Sequence, residues 1–263
     1  GQRVVSLLTE ACGSCQRCRA GREHRCLEGQ GIGHGRDGGF AQRVKLRAAA
    51  LVPLPTELEP AQACLLACPI GVVVKGVGEL ARPRPGERAL VTGAGGGLGV
   101  HALQLARAAG ATVLALTSSP SKAERLQALG AHEVVLMGEL DFSEVVLALT
   151  EDRGAEVIVD TVGSPLYPSL VRCLAQDGRL LSLGEVAGEG AQVNLAEFIF
   201  RDATLVATSG ADRRHVLGAM AQVREGLLRP VVAQTMPLER AAEAYRLVRQ
   251  RAVLGRIVLV PPT

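Results

Sequence analysis

In the segment Ala89-Leu90-Val91-Thr92-Gly93-Ala94-Gly95-Gly96-Gly97-Leu98-Gly99, an apolar strand enters a glycine-rich turn, which is the strongest indication of the fold. The next residues, Val100 to Ala109, repeat apolar side chains at helical spacing. Glycine lets the backbone approach a pyrophosphate, and the N-terminus of a helix offers unpaired N–H groups to that anion. We therefore expect a dinucleotide to contact Gly93, Ala94, Gly96, Gly97, Leu98 and Gly99. A tight strand-to-helix turn without a ligand is the alternative, and Ala94 stands where the motif usually has its first glycine.

Strand-like and helical segments alternate after Gly86, which predicts an α/β fold with a doubly wound parallel sheet. The six expected strands are Arg88 to Thr92, Thr112 to Thr117, Glu133 to Leu136, Glu156 to Asp160, Arg179 to Leu183 and Thr204 to Ala207. We assign residues 71–230 to this dinucleotide-binding domain.

A smaller lobe is expected over residues 1–70, where glycine and cysteine interrupt short strands at Val4 to Leu8 and at Ala41 to Leu46. An apolar run from Ala61 to Val74 predicts a buried helix. Residues 231–263 contain a helical run and a last strand, Gly255 to Val260, which we expect to return to the first lobe.

The end of the second strand bears on the choice of cofactor. Sites specific for NAD commonly place a carboxylate there, which accepts the ribose hydroxyls. This chain has Thr117, Ser118, Ser119 and Lys122 instead, with no carboxylate before Glu124. Hydroxyls and a lysine suit a 2′-phosphate, so we expect NADP to be preferred over NAD. Equally, each serine could simply cap the next helix.

Four cysteines, Cys12, Cys15, Cys18 and Cys26, follow the spacing C-x₂-C-x₂-C-x₇-C. Four thiolates at such spacing can hold one tetrahedral Zn²⁺. A ferredoxin-type cluster is disfavoured, because its fourth cysteine follows after three residues and precedes proline, whereas Cys26 precedes Leu27. A shell of four sulfurs is closed, so we expect this zinc to stabilise a loop and to perform no chemistry.

Composition narrows the classes of partner. The 29 basic and 26 acidic residues give a formal charge of +3 without a basic stripe, so neither nucleic acid nor an anionic membrane is expected as a partner. Glycines interrupt the longest uncharged stretch, Ala89 to Ala106, which makes it a poor membrane span. Seven cysteines, four of them crowded together, argue against a secreted disulfide framework and favour a reducing cytoplasm.

Several motifs occur in an order that resembles the zinc-containing medium-chain alcohol dehydrogenase and reductase superfamily. They are Gly1-Gln2-Arg3-Val4, the four-cysteine spacing, Asp37-Gly38-Gly39-Phe40-Ala41, the glycine turn, Asp160-Thr161-Val162-Gly163, Gly178-Arg179-Leu180 and Leu254-Gly255-Arg256-Ile257-Val258-Leu259. The resemblance covers essentially the whole chain. It implies a GroES-like catalytic lobe, present only in part, a Rossmann domain, a cleft between them, and a homodimer or homotetramer.

The resemblance also implies site residues. It places Val162, Leu183, Gly184 and Ser209 near the nicotinamide and Arg256 near the cofactor phosphates. Cys68 matches the third ligand of a catalytic zinc, although a free cysteine is more often a small buried core residue. The family's other two ligands would lie upstream of Gly1, so we expect this chain alone to have a crippled or absent catalytic site.

The favoured function is a zinc-dependent oxidoreductase that transfers hydride between NAD(P)(H) and a small alcohol or carbonyl substrate. NADPH-dependent reduction of a C=C bond, as in the enoyl and quinone reductases of the superfamily, is the first alternative. The extended glycine turn and the missing carboxylate resemble that branch, whereas the cysteine lobe and Cys68 resemble the zinc branch. A non-catalytic zinc-bearing binding module is the second alternative.

Overall fold

A computed structural model describes residues 1–138 and 140–262 of the chain. These residues form two compact units. The first consists of Gly1–Val72, Gly210–Gly226 and Pro230–Thr263, and the second of Val73–Ser209 and Leu227–Arg229.

The strands, in chain order, are β1 (Val4–Ser6), β2 (Thr9–Glu10), β3 (Gln30–Gly31), β4 (Leu51–Pro53), β5 (Arg88–Val91), β6 (Thr112–Thr117), β7 (Glu133–Leu136), β8 (Ala155–Asp160), β9 (Leu174–Ser182), β10 (Thr204–Ala207), β11 (Val232–Pro237) and β12 (Arg256–Val260). The helices are α1 (Gln16–Arg19), α2 (Pro60–Ala81), α3 (Gly99–Ala108), α4 (Ala123–Ala128), α5 (Phe142–Leu149), α6 (Tyr167–Arg172), α7 (Leu195–Ile199), α8 (Arg213–Arg224) and α9 (Ala241–Arg249).

The second unit is built on one parallel sheet with the strand order β10-β9-β8-β5-β6-β7. Its central strands are mostly buried, and Leu90, Ile158 and Leu180 are each 0% exposed, as expected for strands covered on both faces. The order reverses between β5 and β8, which is the doubly wound arrangement. The α/β prediction and its six strands are thereby confirmed, with β9 beginning five residues before the predicted Arg179.

The first unit contains three two-stranded sheets. β1 pairs with β4 and β2 with β3 in antiparallel fashion, whereas β11 pairs with β12 in parallel. The last strand lies in this unit. The segment Gly210–Gly226 also lies in it, although our sequence-based boundaries put that segment in the dinucleotide-binding domain; its helix α8 packs on the turn Leu66–Ile70 of α2.

The predicted strand at Ala41 to Leu46 is wrong. These residues are mostly exposed and form no strand, and no described strand pairs with them. Side chains hold this part of the chain instead. The Arg36 guanidinium donates to the Lys45 carbonyl, and the Arg47 N–H donates to the Glu10 carboxylate. An alternating pattern cannot form a strand where no neighbouring strand supplies the ladder hydrogen bonds.

Helix α2 contains π-type turns at Leu66–Ile70 and Gly76–Ala81, and it ends at Arg82, whose backbone is left-handed with φ +46°. In the described part of the chain it is the one helix long and apolar enough to cross a membrane, with 22 residues and a mean hydropathy of 1.7. Buried core helices have the same composition, and 67% of its most apolar window is buried within the protein.

Candidate functional site

The glycine turn joins β5 to α3 and brings Gly93, Ala94, Gly96, Gly97, Leu98 and Gly99 together, as the sequence predicts. The turn is closed by Gly96 N–H, which donates to the Gly93 carbonyl at 2.7 Å, and it is tied to β6 by Ala94 N–H, which donates to the Leu116 carbonyl at 3.0 Å. A Cβ at Gly99 would lie 2.3 Å from the Gly93 carbonyl oxygen. Only glycine therefore allows α3 to begin this close to the turn.

A buried network fixes the base of that turn. Asp160, the last residue of β8, accepts a hydrogen bond from the Thr92 hydroxyl at 2.6 Å and others from the Val162 and Gly163 N–H groups at 3.1 and 3.0 Å. Thr161 donates its hydroxyl to the Thr92 carbonyl at 2.8 Å. The network joins the ends of β5 and β8 at the point where the strand order reverses, which is where doubly wound sheets bind ligands.

The end of β6 presents the residues that we expect to select NADP. The Thr117 hydroxyl accepts the Ser119 N–H at 3.2 Å, and Ser118 is exposed. Ser119 occupies the N-cap position of a short helical turn, Pro120–Lys122, and its side chain makes no capping bond there. The Lys122 side chain lies against the glycine turn, because a Cβ at Gly95 would be 3.4 Å from its Nζ. A cation therefore lies beside the proposed phosphate site.

The loops after β8 and β9 lie at the same edge of the sheet. The Leu183 N–H donates to the Asp160 carbonyl at 2.8 Å, and Val186 N–H donates to the Val162 carbonyl at 2.9 Å. A Cβ at Gly184 would lie 2.4 Å from the Thr161 carbonyl oxygen, so the two loops touch through their backbones. The structure thus groups Val162, Leu183 and Gly184, while the Ser209 carbonyl accepts a bond from the buried Lys75 ammonium at 3.3 Å.

The four cysteines of the first lobe converge as predicted. Their sulfurs all lie within 4.8 Å of one another, with Cys12–Cys18, Cys15–Cys18 and Cys15–Cys26 distances of 3.9, 3.5 and 3.8 Å. A tetrahedral zinc with bonds of about 2.3 Å requires sulfurs about 3.8 Å apart, so the cluster fits that ion. Among residues 1–138 and 140–262 it is also the one group of three or more potential metal ligands.

The environment of the cysteine sulfurs differs from one to the next. Hydrogen bonds from Ser14, chiefly from its hydroxyl, lower the pKa of Cys12 to about 6, and backbone N–H groups, that of Leu27 first, lower the pKa of Cys15. Burial raises the pKa of Cys18 to about 12. A bound dication favours the thiolate at every position, so these four sulfurs suit a metal ion.

A contact that the sequence does not reveal connects the zinc loop to helix α8. His24, between Cys18 and Cys26, donates its backbone N–H to the Asp212 carboxylate at 2.7 Å, and its Nδ1 lies 2.8 Å from the same oxygen. Asp212 precedes α8, and its own N–H donates to the His215 ring at 2.9 Å. His24 and Asp212 are 188 residues apart, so no local pattern could predict the pair.

Cys68 lies half-buried on the π-type turn of α2, in the wall of an apolar groove of about 510 Å³. Cys64, Phe40, Tyr245 and Arg256 line the same groove, so the structure places two predicted site residues, Cys68 and Arg256, in one cavity of the first unit. Cys68 belongs to no ligand group within the described residues, so a metal role for it stays a prediction. Cys64 is exposed and therefore not a core residue.

Comparison with protein families gives two matches. Residues 1–56 match the alcohol dehydrogenase GroES-like domain, and residues 97–225 match the zinc-binding dehydrogenase domain. The first match includes the cysteine loop, and the second begins inside the glycine turn.

Individual relatives cover nearly the whole chain. An acryloyl-coenzyme A reductase of Metallosphaera sedula is 36% identical over 98% of this chain and 76% of its own length. A 2-haloacrylate reductase of a Burkholderia species is 28% identical over 85% of this chain and 71% of its own. The crystal structure of an NAD-dependent alcohol dehydrogenase has a TM-score of 0.90 and 35% identity over 98% of this chain and 76% of that one.

Proposed function

The chain belongs to the zinc-type medium-chain dehydrogenase/reductase superfamily and is an NAD(P)-dependent oxidoreductase, and we propose that it reduces the double bond of an acrylate-type acyl thioester with NADPH. One observation carries the choice of substrate: 36% identity over 98% of the chain with an acryloyl-coenzyme A reductase. The 2-haloacrylate reductase supports the same choice. The double bond of an acrylate is conjugated with its carboxyl carbon, which makes the β-carbon electrophilic.

The reduced nicotinamide, when bound, supplies a hydride to the β-carbon, and a proton from solvent completes the α-carbon. The chain's own residues bind and orient. The glycine turn and the N-terminus of α3 bind the pyrophosphate, and Lys122 binds the adenosine 2′-phosphate with Ser118 and Ser119. Asp160 keeps Thr92 and the loop after β8 in place, and Val162, Leu183 and Gly184 receive the nicotinamide.

Zinc in the Cys12–Cys26 loop supports the fold of that loop. Its four sulfurs leave no open coordination position, so we assign it no step in the reaction. Free cysteines throughout the chain suit a reducing compartment such as the cytoplasm, and we propose a homodimer as the smallest assembly.

Oxidation of an alcohol is the second candidate, and two observations favour it. By its resemblance to the zinc branch, we expect Cys68 to match a catalytic zinc ligand, and the alcohol dehydrogenase structure is 35% identical to this chain. Cys68 alone does not fit a zinc ion, because catalytic zinc has three protein ligands. We therefore assign no step to a metal at Cys68.

Two parallel assays separate the candidates. In one, the protein receives NADPH or NADH with acryloyl-coenzyme A, and mass spectrometry follows propanoyl-coenzyme A; in the other, it receives NADP⁺ or NAD⁺ with short primary and secondary alcohols. The proposal expects product in the first assay alone. Reduction of the oxidised cofactor by an alcohol, without propanoyl-coenzyme A in the first assay, would replace it with the second candidate.

A further inference from the structure

We infer that Glu185 is a positioning residue for the nicotinamide half of the cofactor, because its carboxylate holds together the two loops that follow β8 and β9. The inference rests on the proposed function for the identity of the ligand. The geometry of the two loops supports this inference, and Glu185 is not among the cofactor residues expected from the sequence.

The Glu185 carboxylate accepts four hydrogen bonds from two separate loops. The Ser164 N–H donates to Oε2 at 2.7 Å, and the Ser164 hydroxyl donates to Oε1 at 2.9 Å. From its own loop, the N–H groups of Ala187 and Gly188 donate to Oε1 at 2.9 and 3.0 Å. Glu185 therefore cross-links the loop after β8 to the loop after β9.

The backbone at this cross-link has no room for adjustment. Gly163 has φ +94°, and a Cβ there would lie 2.8 Å from the Gly184 carbonyl oxygen and 2.4 Å from Glu185 Oε2. The adjoining Val162 carbonyl accepts the Val186 N–H at 2.9 Å. A change in the Glu185 contacts should therefore displace Val162 and Gly184 together.

These two loops are where the second mononucleotide of a dinucleotide belongs. A doubly wound sheet consists of two mononucleotide-binding halves, and its ligand crosses the crevice where the strand order reverses. Here β5, β6 and β7 form the half with the glycine turn, and β8, β9 and β10 form the other. Because the glycine turn receives the adenosine side, the loops after β8 and β9 receive the nicotinamide.

A carboxylate is required because all four groups that face Glu185 are donors. An ionised carboxylate is acceptor-only, whereas glutamine must point an NH₂ group at some of those donors. Hydrogen bonds from Ser164, its backbone N–H first, lower the pKa of Glu185, so this group stays ionised at neutral pH. Glu185 thus acts by holding the loops and not by donating a proton.

The test compares Glu185→Gln with Glu189→Gln, an equal charge change on an exposed residue of the same loop. Calorimetry measures the dissociation constants of NADP⁺ and 2′,5′-ADP, and of NAD⁺ and 5′-ADP, for each protein. The ADP compounds lack the nicotinamide. We expect Glu185→Gln to weaken the dinucleotide that the unsubstituted protein binds by about two- to tenfold, the loss of one net hydrogen bond. The matching ADP compound should bind as before, and Glu189→Gln should change neither.

Equal dinucleotide binding by Glu185→Gln and the unsubstituted protein would overturn the inference while leaving the proposed function intact. A parallel loss of dinucleotide and ADP binding would assign Glu185 to the stability of the unit, and a thermal melt would show it. If the unsubstituted protein bound neither dinucleotide, the proposed function and this inference would fall together.

Discussion

In the proposed cofactor site, Lys122 is the residue on which we expect the choice between NADP and NAD to depend. Its side chain lies against Gly95 of the glycine turn, and no carboxylate follows β6 to repel a 2′-phosphate. NADP should therefore bind more tightly than NAD. A charge-assisted contact contributes about 1.5–3 kcal/mol, or about ten- to a hundredfold in affinity, and exposure should keep the effect near the lower figure.

Lys122→Ala should weaken NADP and spare NAD, which calorimetric titration of both cofactors can measure. Arg125→Ala is the matched control, since it removes an exposed cation from the neighbouring helix α4. NAD binding as tight as NADP binding in the unsubstituted protein would contradict the assignment. A joint loss of both in Lys122→Ala would mean that Lys122 supports the fold.

Asp160 is the residue that holds the base of the glycine turn. It is 0% exposed and accepts bonds from Thr92, Val162 and Gly163. Asp160→Asn keeps the shape but turns an NH₂ toward buried donors, so unfolding in urea should show a loss of about 1–3 kcal/mol. Asp177→Asn, at an exposed position of β9 with φ +55°, should cost almost nothing. Equal stability of the two variants would contradict the role of the network.

Among the structural elements, the sequence predicts those whose formation depends on a local residue pattern. The strands of the parallel sheet are largely apolar runs of four to nine residues, and the cysteine spacing places four sulfurs within one loop. The segment Ala41 to Leu46 failed as a strand because pairing depends on a distant neighbour. The contacts of His24 with Asp212 and of Glu185 with Ser164 were missed for a similar reason, since each joins two segments that are distant in the sequence.

The metal content of the cysteine loop, Cys12 to Cys26, can be measured directly. Elemental analysis should find about one zinc per chain, because one closed set of four sulfurs is complete. Cys15→Ser should lose that metal and speed hydrogen exchange over Gly13 to Arg25. Because His24 contacts Asp212, exchange at the start of α8 should rise as well, while the second unit should be unchanged.

Cys64→Ser provides the control for the zinc loop, since Cys64 is exposed and outside the cluster, and it should keep the metal. Two firmly bound zinc ions in the unsubstituted chain, or iron in place of zinc, would contradict the prediction. Faster exchange throughout the second unit in Cys15→Ser would show that the loop stabilises more than its own surroundings.

At the scale of the molecule, the sheet of the second unit ends in the open strand β10. Large apolar side chains are exposed in the same part of the chain: Val186, Leu195, Ile199 and Phe200 are 67–80% exposed. An edge strand beside an apolar surface can bind a second copy of the chain, and a symmetric dimer would continue the sheet from one copy into the other. Light scattering should give at least twice the chain mass of 27.5 kDa.

Phe200→Asp should shift that assembly toward the monomer, because it places a charge on the apolar surface. Leu149→Asp changes another exposed apolar residue of the second unit, at the end of α5, and should leave the mass unchanged. A monomeric unsubstituted chain at working concentration would contradict the proposed dimer.

Deuterium labelling can follow the proposed hydride transfer to the β-carbon of an acrylate-type thioester. The protein is incubated with acryloyl-coenzyme A and NADPH deuterated at the transferable C4 position, and the product is examined by mass spectrometry and NMR. We expect propanoyl-coenzyme A with one deuterium at the β-carbon and, in unlabelled water, only hydrogen from solvent at the α-carbon. Deuterium at the carbonyl carbon of an aldehyde or alcohol product, or none in any product, would contradict it.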